Sequence, residues 1–199
     1  MLVCFEGIDA AGKTTLLRNV ADRMKDQEVV VTRQPGGTDL GVDIRQLVLH
    51  STHNICGLSE MLLFAADAAQ LQDEVVRPAV EAGKLVLCDR GWMTNVFYQK
   101  YGRGNLMAED VYNRVFGTHP PSLIVLVDID LEVSEERLAH QEADRIESAG
   151  RGFFRRVHRA YQSVGDTWNG VKVVRVDGTA PPDVLCNHTM RHISTLIEP

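Results

Sequence analysis

The 199-residue sequence predicts a three-layer α/β fold, a five-stranded parallel sheet with helices on both faces. Three observations predict it. Five short runs are rich in apolar residues and four of them nearly continuous, as strands covered on both faces are. Helical patterns separate them, which is the alternation of a parallel sheet. A glycine-containing loop joins the first strand to the first helix, where such sheets bind ligands.

The strand runs are Leu2–Phe5, Val29–Thr32, Leu85–Cys88, Leu123–Val127 and Val171–Val176. Between and after them, helical patterns span Lys13–Lys25, Leu40–Leu49, Ser59–Glu81, Trp92–Lys100, Ala108–Phe116, Val133–His140, Gly152–Trp168 and Pro182–Ile197. Pro78 is expected to bend or end its helix, because proline lacks the N–H that the helix needs.

The first strand ends in "VCFEGIDAAGKTTLL", whose Gly7, Gly12, Lys13 and Thr14 match G-x-x-x-x-G-K-[ST]. Glycines let successive N–H groups turn towards one anion, and the following helix adds its unpaired first-turn N–H groups. Lys13 then offers an ammonium to the outer phosphates and Thr14 a hydroxyl to Mg²⁺. The expected triphosphate site is therefore Gly7, Ala10, Ala11, Gly12, Lys13, Thr14 and Thr15. The second strand ends in "TRQPGGT", where Pro35 stiffens a loop that begins with Arg33. The third ends in "DRG": Asp89 can hold Mg²⁺ through water and Arg90 a phosphate. Arg33 and Arg90 could clamp a second phosphorylated ligand opposite the loop. Asp128, Asp130 and "DGT" follow the last two strands.

Composition bounds the alternatives. A net charge of −6 argues against a general nucleic-acid binder. The content of 44% hydrophobic and 24% charged residues fits one ordinary domain over 1–199. No apolar stretch is long enough to span a membrane, and Glu6 and Asp9 interrupt the apolar N-terminus, so a soluble, cytoplasmic protein is expected. Four cysteines without C-x-x-C spacing suggest reduced thiols.

Taken in order, "EGIDAAGKTT", "TRQPGGT", "LLFAADAAQ", "CDRGWMTNVFYQ" and "DRIE" resemble the thymidylate kinase family from about Leu2 to Tyr161. The resemblance implies a P-loop kinase fold with a lid, here at about residues 140–152, and transfer of the ATP γ-phosphoryl group to a deoxypyrimidine monophosphate, with Mg²⁺. It also implies a homodimer. By the same resemblance Asp9 lies near the acceptor ribose and the metal, Thr14 and Asp89 serve the metal, and Arg33, Pro35 and Arg90 belong to the acceptor site. Phe64 would stack on the pyrimidine, Thr94 and Asn95 would reach the base edge, and Tyr98 and Gln99 would lie by the nucleoside.

The chain also departs from the family. Its loop, Ile8 to Ala11, lacks the arginine that one branch carries there, so it resembles the branch that supplies this charge from the lid. Arg145 is the first choice for that role, with Arg151 and Arg137 as alternatives; His140 stands where many members have arginine. Gln34 replaces a glutamate. Ala68 replaces an arginine that reaches the base, which leaves the preferred base open between dTMP, dUMP, 5-substituted dUMP and dCMP and implies a looser selectivity. A P-loop switch or an inactive binding protein would be the other classes. The sequence shows no N-K-x-D signature for the former, and its retention of Lys13, Thr14, Asp89 and Arg90 argues against the latter.

Overall fold

The computed structural model describes residues 1–25, 27–139 and 142–197. Its sheet runs in the order β2 (Val29–Arg33), β3 (Leu85–Asp89), β1 (Leu2–Glu6), β4 (Leu123–Asp128), β6 (Val171–Asp177) and β5 (Thr167–Trp168). All pairings are parallel except that of β5 with β6. The sixth strand was not expected from the sequence, where Trp168 ends a helical pattern. The helix there, α8 (Arg151–Gln162), stops earlier, and the chain turns back at residues 163–166 to lay two residues against the sheet edge.

Period-two alternation sorts the strand side chains onto two faces. Val3, Phe5, Leu85 and Leu87 enter the larger core, while Leu2, Cys4, Val86 and Cys88 enter a smaller one on the other face. The smaller core is closed by Leu71, Val76 and Ala79, from α3 (Gly57–Leu71) to α4 (Arg77–Glu81). That region is the single helix expected over Ser59–Glu81, with a π-helical stretch at Gln72–Val76 just before Pro78. A widened turn accommodates the missing proline N–H without ending the helix. Similar π stretches extend α2 (Asp39–Arg45) to His50 and α5 (Trp92–Val96) to Gly102. The remaining helices are α1 (Lys13–Arg23), α6 (Ala108–Phe116), α7 (Leu131–Leu138) and α9 (Pro182–Ile197). None of the helices among the described residues is long and apolar enough to cross a membrane. His140, at the end of an expected helix and the start of the expected lid, lies outside the described residues.

β1 is central, flanked by β3 and β4, and this placement organises the functional edge. The loop leaving β1 opens beside Asp89 and Arg90 from β3, with Arg33 one strand further out. Gly7 shows why the loop needs glycine: at φ 139° it is in the left-handed half of conformational space, and a Cβ there would run into the Val127 carbonyl oxygen of β4.

Candidate active site

A cleft of about 1040 Å³ lies across the carboxyl ends of the strands. That exceeds the usual range for one small ligand, and its lining falls into two halves. One half is the loop after β1, with Ala10, Gly12, Lys13, Thr14 and Thr15 on the surface of the cleft. Gly7 and Ala11 are buried behind them. The other half contains Arg33, Pro35, Phe64, Arg90, Thr94, Asn95, Tyr98 and Gln99, so the structure brings the expected acceptor residues together.

At the loop, Lys13 is 5% exposed and its Nζ donates to the Ile8 carbonyl at 2.6 Å. Burial, reinforced by the nearby Arg90 charge, pushes its pKa down to about 8. The Thr14 hydroxyl donates to the Asp89 carboxylate, so the two expected metal ligands adjoin at the mouth of the loop. Asp9 turns the other way, taking an ion pair from Arg90 and a 2.7 Å hydrogen bond from the Tyr98 hydroxyl. Burial raises the Asp9 carboxyl, but Arg90, Lys13 and the Tyr98 hydrogen bond outweigh it and hold the group below the usual carboxylate range.

Arg90 is positioned by several groups at once. Its backbone is left-handed at φ 68°, its guanidinium contacts Asp9 and the Gly7 carbonyl, and it lies 5.4 Å from the Tyr98 ring centroid. Arg33 and Arg45 line the same half of the cleft. Arg45, which the sequence reading missed, donates to the Pro35 carbonyl at 3.0 Å. Its pKa is lowered, first by burial and then by the charges of Arg33 and Arg90. Three crowded cations in a recess are an arrangement that an anion would relieve.

The loop from Arg33 to Thr38 is fixed from behind. The Gln34–Pro35 peptide is cis, the Gly36 N–H donates to Asp67 at 2.8 Å, and the Gln34 N–H donates to the Asp89 carbonyl at 2.9 Å. Gln34 accepts from Asn95 Nδ2 at 3.0 Å, and the same Nδ2 donates to the Gly91 carbonyl at 2.8 Å. Asn95 lines the cleft while its amide is held by the protein. Thr94, expected at the base edge, donates its hydroxyl to Glu6 and contacts the Tyr161 hydroxyl at 2.9 Å.

Glu6 is a second residue missed from the sequence. It is fully buried at the end of β1, and accepts from the N–H groups of Met93 at 3.2 Å and Thr94 at 3.0 Å. It thereby satisfies the first turn of α5. Burial raises its pKa to about 7 against the opposing pull of Thr94, Arg90 and Lys13. A carboxyl raised this way keeps its proton longer in the folded state than in the unfolded one. Stability of the parent relative to Glu6→Gln should therefore fall as pH rises from about 4.5 to about 7, by up to ~3 kcal/mol. Denaturant unfolding of both proteins at pH 5 and pH 7.5 checks this; a constant difference would refute it.

Two expectations meet a different geometry. Arg145, expected over the phosphates, forms an ion pair with the buried Glu60 at 2.7 Å, donates from Nε to the Val48 carbonyl at 2.7 Å, and is absent from the cleft lining. A carboxylate taken out of water needs such a partner, and Glu60 holds Arg145 away from the loop. Arg151 pairs with Glu132 and Glu135 on α7. Arg137, the other alternative, does line the cleft, donating to the carbonyls of Ala10 at 3.0 Å and Gly178 at 3.2 Å. The second difference is Ala68. It is fully buried in the larger core and is not among the residues lining the cleft, whereas the expectation set it beside the base. Asp128 is likewise spent elsewhere, on Arg175 at 2.8 Å.

A phosphate loop facing a three-arginine recess across one cleft is the arrangement of a P-loop nucleoside monophosphate kinase. The sequence profile described as thymidylate kinase matches residues 5–187. A thymidylate kinase of Thermosipho melanesiensis is 34% identical over all of both chains, and one of Deinococcus radiodurans is 37% identical over 93% of this chain and 92% of its own. A crystal structure of thymidylate kinase from Ehrlichia chaffeensis superposes with a TM-score of 0.76 over 98% of each chain at 24% identity, which bears on the fold. The chain belongs to the thymidylate kinase family, whose members are ATP-dependent nucleoside monophosphate kinases.

Proposed function

We propose that the protein phosphorylates dTMP to dTDP with ATP. The observation that carries this reading is the pairing of Asp9, inside the triphosphate loop, with Arg90 and Tyr98 on the acceptor side. On this reading the two phosphate sites would share one cleft, so that transfer would need no relay. The loop N–H groups and Lys13 would bind and orient the ATP phosphates, while Arg33, Arg45 and Arg90 grip the acceptor phosphate. Phe64 offers a face to the base. Tyr98, tied to Asp9, would on this reading lie against the sugar, where its ring would crowd a ribose 2′-hydroxyl and favour a deoxy sugar.

The Thr14 hydroxyl and the Asp89 carboxylate fit Mg²⁺, a hard cation that takes oxygen ligands and completes its shell with water and substrate phosphates. When bound, the ion would neutralise charge on the phosphates. For the remaining positive charge near the transferred group the reading favours Arg137 over Arg145, because Arg137 lines the cleft beside Ala10. The lid is read at about residues 140–152, of which 140 and 141 lie outside the described residues; Asp144, Ile146 and Glu147 line the cleft. A homodimer fits the exposed Leu58 and Leu62 on α3 and the adjoining Leu106 and Met107; Asn105 bonds the Gly57 carbonyl there at 2.9 Å. Four free cysteines, three of them buried, suit a reducing cytoplasm.

A panel of dTMP, dUMP, 5-hydroxymethyl-dUMP and dCMP with ATP and Mg²⁺ tests the reading. The highest kcat/KM is expected for dTMP. Hydrolysis of ATP without transfer to any of the four would overturn it.

A further inference from the structure

Glu60 gathers more partners than packing requires. It is 1% exposed on α3, one helical turn before Phe64 and on the same face. Its Oε1 accepts from Gln99 Nε2 at 2.9 Å and from Arg103 Nε at 2.9 Å. Its Oε2 accepts from Arg103 Nη2 at 3.0 Å and pairs with Arg145 at 2.7 Å. Two guanidiniums on one carboxylate determine its charge. Burial raises the Glu60 carboxyl, but hydrogen bonds from Arg103 and Gln99, with the nearby Arg charges, outweigh it and hold the group below the usual range.

An ionised carboxylate can only accept, so only the NH₂ end of Gln99 can face it. The Gln99 Oε1 is thereby turned away from Glu60. Gln99 lines the cleft, and this oxygen is buried with no protein partner. A buried acceptor without a partner costs stability until a donor arrives. Facing N3 of the ring, this oxygen would accept from the N3–H of a uracil-type base and repel the N3 lone pair of a cytosine-type base.

The same carboxylate also holds the lid segment. Arg145 reaches it while its own N–H and Nε bond the Leu49 and Val48 carbonyls at 3.0 and 2.7 Å. On either side of Arg145, Asp144 and Ile146 line the cleft.

We infer that Glu60 is a positioning residue that fixes the Gln99 amide to favour a 4-carbonyl pyrimidine and anchors the lid segment at the same point through Arg145. The inference rests on the proposed pyrimidine monophosphate kinase activity. It assigns base preference to an interaction about two helical turns along α3 from Ala68, and it couples acceptor binding to the lid.

The test compares kcat/KM for dUMP and dCMP, which differ at the 4-substituent and in the proton at N3. In the parent, dUMP is expected to be favoured. Glu60→Gln can donate to Gln99 Oε1 and lets the amide turn over, so the dUMP/dCMP ratio should fall by at least about fivefold. If both substrates lose equally and only Tm drops, Glu60 is merely structural and the inference is overturned. Arg145→Gln should leave the ratio within about twofold of the parent, because Glu60 keeps Arg103 and Gln99, while hydrogen exchange across residues 144–147 speeds up. A ratio that collapses there too would overturn the division of roles. Should Glu60→Gln fail to fold, the parent itself decides: dUMP alone, without ATP, is expected to slow exchange across residues 144–147, and no slowing would overturn the coupling. A parent inactive on every deoxypyrimidine monophosphate would remove the functional reading and the inference together, whereas an active parent with an unmoved ratio in Glu60→Gln removes the inference alone.

Discussion

Replacing Lys13 by alanine is expected to lower kcat by about 100- to 1000-fold, the loss seen when one preorganised charge donor is removed from a transition state. The side chain is buried, yet its ammonium is held by a single backbone carbonyl of its own loop. Arriving phosphates would compete with that carbonyl for the ammonium and raise the lysine from about 8 back towards full protonation. Because no carboxylate depends on Lys13 for a direct ion pair among the described residues, Tm should shift by only a few degrees. Single-turnover transfer from ATP to dTMP, measured beside a thermal melt, checks both halves. A loss below about tenfold, or ~1.4 kcal/mol, would make Lys13 a minor contributor.

Arg90→Ala should cost at least as much in kcat/KM for the acceptor, about 100-fold or more, and it should also destabilise the protein. Arg90 is the ion-pair partner of Asp9, whose side chain is 15% exposed; without it that largely buried carboxylate keeps, among the described residues, the hydrogen bond from the Tyr98 hydroxyl. The loss should fall on KM for dTMP and on kcat, with the affinity for ATP changed far less. Arg90→Lys is expected to recover stability better than activity, since an ammonium can neutralise Asp9 but cannot fork between a carboxylate and a phosphate. Isothermal titration with each nucleotide separates the two substrates. A fall in ATP affinity with acceptor binding intact would move Arg90 to the other half of the cleft.

What the sequence disclosed depended on how local the signal was. β1 and β3 were readable because every residue of Leu2–Phe5 and Leu85–Cys88 is buried, which leaves no polar position to confuse the pattern. The end of α8 was not, since Trp168 reads as one more apolar helical position although it packs in the cluster with Trp92 and Phe97. The triphosphate loop and the Asp89-Arg90 pair were readable from spacing. Arg45 was not: an arginine on a short helix looks like any solvated cation until the loop after β2 folds against it. Glu6 and Glu60 did leave a trace, each a carboxylate inside an apolar run, "VCFEG" and "SEMLLFAA". Their partners, Thr94 in one case and Arg103 and Arg145 in the other, come from distant stretches that no local pattern connects. The same distance hid the pairing of Arg145 with Glu60, since its charged neighbourhood in sequence gave no sign of a buried carboxylate on α3.

Asp9 has a consequence for how such a protein can be re-engineered. It belongs by sequence to the nucleotide-triphosphate loop and by contact to the neighbouring half of the cleft, through Arg90 and Tyr98. The loop is thus not an interchangeable cassette. A graft that kept Gly7, Gly12, Lys13 and Thr14 but imported another insert would transplant the ATP grip intact and strip Arg90 of its counter-charge. A substitution at Asp9 would leave Arg90 and Tyr98 without their shared partner, so a redesign of this edge of the sheet has to treat three residues from two separate segments as one unit.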